Sequence, residues 1–367
     1  MVKPGKKTPI RSIGILTSGG DCSGLNAAIR AATRRAIQEY GWRVFGINKG
    51  TTGLILRPLE YQELTLEQCD SSMLRSGGTM LGSTNRENPF NFPIGDAHVD
   101  QSSLFYDGYN ELKLDALIGI GGDGSMKVLR RLAQEGKLNL VAIPKTIDND
   151  VGCTDSAIGY STAVEVVTEA LDRLQPTAAS HQRVIVLEVM GRDAGHIALA
   201  AGIAGGADVI LVPEIQYNLS AVCKKITSLA GFGRKFAIVI VSEAVTKEDG
   251  KPATIPDETG RLRYGGIGHY LGDRINKITG AETRVTVLGH VQRGGQPCAR
   301  DRLIASALGV HAVDLINQSK FDRMVAWKNR DVTDVPIMDA IKKYQSVDIN
   351  GFMVKTARGL GICLGDD

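Results

Sequence analysis

Residues 114–150 read LDALIGIGGDGSMKVLRRLAQEGKLNLVAIPKTIDND, and this stretch constrains the fold more than any other in the chain. An apolar run at 116–120 breaks into Gly121-Gly122-Asp123-Gly124-Ser125. Met126, Val128, Leu129 and Leu132 then recur near helical spacing, and a second apolar run at 140–143 stops at Pro144. Strand, glycine turn, short helix and strand in that order imply a parallel βαβ unit. In an open parallel sheet, ligands collect beyond the carboxyl ends of the strands. Asp123 and the Asp148-Asn149-Asp150 cluster are therefore expected on one edge of one sheet.

The chemistry expected there is phosphoryl transfer. Glycines around a single aspartate let the backbone approach a polyphosphate. A helix starting near Gly124 or Ser125 would direct amides and a positive dipole end at it. A carboxylate among phosphates makes sense as a holder of Mg²⁺. Asp148 and Asp150 project to one side if the backbone between them is extended. One could act as general base toward a hydroxyl while the other helps hold metal or substrate. Taken singly, glycine turns and helix-capping aspartates are common structural features. Their occurrence at adjacent strand ends favours function.

With 367 residues the chain is long enough for two domains. No apolar run is long enough to span a bilayer, and a net charge of +3 provides no basic field for nucleic acid. The basic start, MVKPGKKTPIRS, lacks an apolar signal core and reads as a solvated tail. The six scattered cysteines, with no Cys-x-x-Cys pair, fit reduced thiols in a cytoplasmic protein.

A first strand at 13–16 runs into Thr17-Ser18-Gly19-Gly20-Asp21, followed by a helix at 27–40 and a strand at 43–47. Neither a G-x-G-x-x-G fingerprint nor a P-loop lysine is present, which argues against a dinucleotide oxidoreductase. Residues 49–100 read as loop-rich, and their glycine loop ends at Arg86, a possible phosphate fork. A helix is expected over 157–174, capped by Asp155 or Ser156 and left through Pro176. Strands at 184–189, 209–212, 237–241 and 283–288 and helices at 197–204 and 300–316 follow, before a mixed tail. Acids dominate the early turns (Asp21, Asp123, Asp148, Asp150) and cations the later ones (Arg183, Arg192, Arg284, His290, Arg293). Acids that manage Mg²⁺ and arginines that hold an anion suit a sugar-phosphate kinase.

Nearly end to end, the chain resembles the 6-phosphofructokinases. The matching segments are ILTSGGDCSGLNAAIR (15–30), GIGGDGS (119–125), PKTIDNDV (144–151), SHQR (180–183), EVMGRDAGHIALAAGIAGGAD (188–208) and TVLGHVQRGG (286–295). The resemblance implies an α/β fold of two Rossmann-like lobes with mostly parallel sheets flanked by helices. Their expected extents are residues 1–157 with about 291–345 for nucleotide and Mg²⁺, and 158–290 with about 346–367 for the sugar phosphate. It further implies a cytoplasmic homotetramer with active sites shared between subunits, and fructose 6-phosphate, ATP and Mg²⁺ as reactants and cofactor.

By position, the resemblance implies Asp148 as the base toward the sugar 1-hydroxyl, with Asp150 supporting it, and Asp123 as the Mg²⁺ residue. The Gly19 amide, Arg192 and Thr146 fall on the groups around the transferring phosphoryl. Gly122, Gly124, Ser125, Lys145 and Arg86 fall near the donor, the Arg86 loop being one residue longer than usual. Met190, Gly191, Glu243 and His290 fall on sugar contacts, and Arg293 on the 6-phosphate together with Arg183 and Arg284 of a neighbouring subunit. Arg30, Arg34, Arg173, Glu214, Arg234 and Lys235 align with an effector site.

Gly124 is the residue of ATP users, because a larger side chain would fill the place of the α-phosphate; Lys145 is more usual in pyrophosphate users. Steric exclusion is the stronger constraint, and the expected donor is ATP. Pyrophosphate as donor, or a non-catalytic regulatory subunit of the same fold, are the alternatives.

Overall fold

The computed structural model describes residues 10–84, 88–95, 97–256 and 262–366. Most of the basic start, and Arg86, lie outside them. The chain divides into two compact units. The first comprises the chain up to Thr146 together with Val151–Gly159 and Gly294–Tyr344, and the second Ile147–Asp150, Tyr160–Arg293 and the remainder.

In the first unit, β1 (Ser12–Thr17) is wholly buried and leads through the glycine turn into α1 (Leu25–Tyr40) and β2 (Arg43–Ile47). Leu25, Ala28, Ile29, Ala32 and Ala36 form the buried stripe of α1, and Gly41 ends it in the left-handed conformation. The region read as loop-rich carries short elements: α2 (Thr52–Ile55), β3 (Tyr61–Leu64), a 3₁₀ turn (Ser71–Arg75), and the hairpin of β4 (Phe92–Ile94) and β5 (Ala97–Val99). Each is too short for periodicity to disclose. Next come α3 (Ser102–Glu111), β6 (Ala116–Gly121), α4 (Asp123–Gly136) and β7 (Leu140–Thr146). β6 and β7 pair in parallel from Leu117↔Leu140 to Gly121↔Pro144, closing the expected βαβ unit. β8 (Ile158–Gly159) pairs with the end of β7.

The second unit opens with α5 (Tyr160–His181), which differs from the expected helix at both ends. Ile158–Gly159 is taken up by β8, so Asp155 and Ser156 do not cap it. Pro176 lies within the helix; it removes a single backbone bond, and buried Ala178 continues the apolar stripe beyond it. Gln182, at φ 52°, terminates it. Then follow β9 (Val184–Val189), α6 (His196–Ala204), β10 (Val209–Leu211), α7 (Leu219–Gly231) and β11 (Ala237–Ser242). The hairpin β12 (Thr254–Pro256) and β13 (Leu262–Tyr264) precedes α8 (Ile267–Thr279) and β14 (Thr283–Val287). The sheet order is β10-β11-β9-β14, all parallel. β9, β10 and β11 are near-continuous apolar runs, as burial on both faces demands, whereas the edge strand β14 alternates polar residues and is partly exposed.

The chain then returns to the first unit with α9 (Ala299–Asn317), packed on α1. Gly309 makes that contact close: a Cβ there would stand 2.6 Å from the carbonyl oxygen of Ala28. The hairpin β15 (Arg323–Lys328) and β16 (Asp331–Pro336) and helix α10 (Ile337–Lys342) follow. β15 joins the large sheet parallel to β7, giving the order β16-β15-β7-β6-β1-β2-β3 with β8 beside β7. α11 (Phe352–Gly359) closes the second unit against α6.

Candidate active site

The first unit gathers one cluster at the carboxyl edge of its sheet. α4 begins at Asp123, one residue earlier than expected, with Gly122 as N-cap. The first turn of an α-helix offers amides that no intrahelical carbonyl can take, and here Asp123, Gly124 and Ser125 form that turn. Across from it, the Gly19 amide donates to Thr84 O at 2.9 Å, and Gly19 adopts φ 87°. A Cβ on Gly19 would lie 3.0 Å from Ser125 Oγ and 3.3 Å from Lys145 Nζ. Gly19, Ser125 and Lys145 thus converge. The Lys145 side chain is buried, and its ammonium donates to Gly20 O. A cavity of about 380 Å³ lined by Gly19, Gly20, Asp21, Thr79, Gly82 and Ser83 opens at the same turn. A Cβ on Gly124 would meet nothing within 4 Å.

Asp123 pairs with Lys127 Nζ at 3.3 Å and is partly exposed. Among the described residues, no group of three or more His, Cys, Asp or Glu could hold a metal ion by itself. A single carboxylate is the donor set for a magnesium ion that keeps several waters and arrives with a polyphosphate.

The second unit gathers the other cluster. Ile147–Asp150 packs with this unit rather than continuing the strand. Contrary to the expectation of an extended backbone, Asn149 takes φ 54°, a left-handed conformation that asparagine tolerates. The alternation rule for Asp148 and Asp150 therefore does not apply. Burial and local charge unite them instead. Asp148 is 6% exposed and Asp150 2%. Burial first, then the neighbouring charge of Asp150, pushes the Asp148 carboxyl up to about 7, with Arg293 and Arg192 pulling the other way. Arg192 Nη1 lies 3.8 Å from Asp150 Oδ2.

Arg192 stands on the turn after β9 with φ 51°, strained for a residue with a side chain. That turn is held from beneath. Glu243, just past β11, accepts from the Gly191 amide at 3.3 Å and the Arg192 amide at 3.0 Å. A Cβ on Gly191 would press to 2.4 Å from the Ala194 carbonyl oxygen, so only glycine fits. Burial raises the Glu243 carboxyl above its ordinary value, opposed by those two amides. His290 and Arg293 lie on a 3₁₀ turn (Gly289–Arg293) after β14, His290 exposed and Arg293 half-buried.

Arg183 and Arg284 stand elsewhere. They lie at the amino ends of β9 and β14, where Thr283 pairs with Val184 and Arg284 with Ile185. At about 3.3 Å per residue, the seven steps from Arg183 to Met190 span roughly 20 Å. Within one chain these arginines and the Met190–Arg192 turn occupy opposite edges of one sheet.

Five of the six residues aligned with an effector site have local partners. In the first unit, Arg30 donates to Asp70 O at 2.7 Å and Arg34 to Cys69 O at 3.4 Å. In the second, Arg173 pairs with Glu169 one turn away, and Arg234 forks onto Asp208 at 2.7 and 3.0 Å. Glu214 accepts from the Gly195 amide at 3.1 Å and the Val347 amide at 2.8 Å, and Lys235 is exposed.

Two positioning residues escaped sequence reasoning. Gln292, 1% exposed, accepts from the Met190 amide at 3.2 Å and donates to Gly289 O at 3.1 Å, tying the β9 turn to the His290 turn. Glu188, 2% exposed near the carboxyl end of β9, accepts from the amides of Gly266 at 3.1 Å and Gly268 at 2.8 Å and so caps α8. The signal for Glu188 was available: a charge inside a buried strand needs a partner.

Comparison with known proteins points one way. The phosphofructokinase family model matches residues 12–316. The chain is 60% identical over 357 residues to "ATP-dependent 6-phosphofructokinase 1" from Nostoc sp., covering 97% of this chain and 99% of that one. Among solved structures, phosphofructokinase from Saccharomyces cerevisiae superposes with a TM-score of 0.77 at 30% identity, covering 90% of this chain and 45% of that longer one. A pyrophosphate-dependent phosphofructokinase from Nitrosospira multiformis gives a TM-score of 0.80 over 97% of this chain and 93% of that one; at 20% identity it speaks for the fold alone. The chain belongs to the phosphofructokinase family.

Proposed function

We propose that this chain phosphorylates fructose 6-phosphate at its 1-hydroxyl with ATP, giving fructose 1,6-bisphosphate and ADP. The observation that carries the reading is Asp148: a buried carboxyl pushed to about 7 by burial and Asp150, with Arg192 and Arg293 acting on it. A general base works best when its pKa lies near the working pH. Asp148 accepts the proton of the attacking hydroxyl. Arg192, paired with Asp150, faces the charge that builds on the transferring group.

On the donor side, Thr146, Lys145 and the Gly19 amide, which would exchange Thr84 O for a phosphoryl oxygen, steady the γ-phosphoryl, and the first turn of α4 (Gly122, Asp123, Gly124, Ser125) holds the remaining phosphates. Arg86 belongs to this set by its motif alone. Asp123 would hold Mg²⁺, which neutralises phosphate charge when bound. The open space at Gly124 supports ATP as donor, since a side chain there would compete with the nucleotide. The naming of close relatives as ATP-dependent supports the same choice.

Met190, Gly191, Glu243 and His290 contact the sugar, and Arg293 the 6-phosphate. The roughly 20 Å between Arg183 and Met190 supports a site that takes Arg183 and Arg284 from another copy, in a cytoplasmic homotetramer. No helix among the described residues is long and apolar enough to cross a membrane. An anionic effector is read onto Arg30, Arg34, Arg173, Glu214, Arg234 and Lys235.

The test is a coupled assay for fructose 1,6-bisphosphate with Mg²⁺ and fructose 6-phosphate, run in parallel with ATP, ADP and pyrophosphate. Product with ATP is expected. Product chiefly with pyrophosphate would assign the donor choice to Lys145.

A further inference from the structure

At the amino end of the four-stranded sheet, Glu282 stands between two arginines. The β9–β14 pairing fixes it there, with the Val184 amide donating to Glu282 O at 3.0 Å. Glu282 Oε1 accepts from Arg183 Nη2 at 2.8 Å and, on the same oxygen, from Arg284 Nη2. Arg284 Nη1 turns to Thr283 O at 3.0 Å. Arg183 Nε is buried and has no hydrogen-bond partner among the described residues. Buried donors are nearly always satisfied, so Arg183 keeps one donor beyond those that Glu282 takes up.

One carboxylate oxygen shared by two guanidinium groups reproduces what an oxygen of a bound phosphate would do. We propose that Glu282 is an internal competitor for the sugar phosphate, occupying the Arg183–Arg284 pair until a phosphate dianion displaces it. The inference rests on the reading of these two arginines as 6-phosphate ligands.

Charge counting supports competition over assistance. Two guanidinium groups and one carboxylate leave a single net positive charge. A dianion entering beside an unmoved carboxylate would meet it at close range, and like charges in contact are costly. The Glu282 side chain is 47% exposed, so it can swing into water. Exposed ion pairs are weak, which makes the clasp shallow and displacement feasible. A dianion, able to engage both arginines and Arg183 Nε, displaces the carboxylate better than a monoanion does.

The test is equilibrium binding of fructose 6-phosphate to the full chain, comparing the parent with Glu282→Gln and Arg183→Ala at low and high salt. Glu282→Gln keeps the shape and removes the charge. It is expected to bind about two- to fivefold tighter at low salt, with the gain shrinking as salt rises and the KM for ATP unmoved. Unchanged or weaker binding in Glu282→Gln, with affinity lost in Arg183→Ala, overturns the competitor role alone. Parental affinity in Arg183→Ala overturns the phosphate-ligand reading and the competitor role with it.

Discussion

At the carboxyl edge of the eight-stranded sheet, the proposed ligand surface is built mostly from backbone: the turn at Gly19, the first turn of α4, and one buried lysine laid against Gly20. At the carboxyl end of β9, it is built from side-chain charge, with Asp148 and Asp150 drawn out of water, Glu243 half-buried and Arg192 at the exposed rim. In the function proposed above, the first cluster would recognise a polyanion by leaving room and aiming dipoles. The second holds a carboxylate near its titration point by withholding solvent. Specificity in the one depends on absent side chains, and chemistry in the other on present ones.

The largest expected effect breaks the second cluster. Asp148→Ala removes the base and should lower turnover by about 10²–10⁴-fold while fructose 6-phosphate binding, measured by calorimetry, stays within a few-fold. Near-normal turnover would remove Asp148 from its role. The matching attack on the first cluster is Gly124→Asp. A Cβ there meets nothing within 4 Å, so the protein should fold. A side chain in the place of the α-phosphate should then cut kcat/KM for ATP by about tenfold or more, and for pyrophosphate much less. Equal losses with ATP and pyrophosphate would refute the steric account.

A smaller effect is expected at Gln292, which ties Met190 to Gly289. Gln292→Ala should raise the KM for fructose 6-phosphate several-fold and cost about 1–3 kcal/mol of stability by leaving buried groups unsatisfied, as read by urea denaturation. Sharpest in sign is a pH effect on stability. The folded pKa of Asp148, about 7, lies above its ordinary 3.8, so the native state holds the extra proton between those values. Its contribution is present at the acid end of that window and is lost as pH rises through it. Stability should therefore fall where activity rises. Asp148→Asn should lack this component in thermal melts between pH 5 and 8.

Much of this was legible in the sequence because the first cluster is local. The apolar run, the glycines and the α4 stripe specify β6–α4–β7 with no long-range information, and the strand ends place Gly19 and Asp123. What was not legible depends on tertiary burial. The left-handed Asn149 overturned the extended reading of Asp148–Asp150, and no local pattern announces an asparagine at φ 54°. The continuation of α5 past Pro176 depends on the packing of Ala178. Gln292 reads as an ordinary polar residue in a turn until the fold buries it under Met190. The separation of Arg183 from Met190 was implicit in strand length, and only the pairing of β9 with β14 showed that Arg284 shares it.

The central claim is that Asp148 is a base whose pKa is set by burial and by the charge of Asp150. The measurement that tests it most directly is the pH profile of kcat/KM for fructose 6-phosphate in the parent and in Asp150→Asn. The parent should lose activity below about pH 7, in line with the Asp148 carboxyl. Removing the Asp150 charge should move that acid limb to lower pH. An acid limb that stays in place, or no limb near neutrality in the parent, would contradict the account.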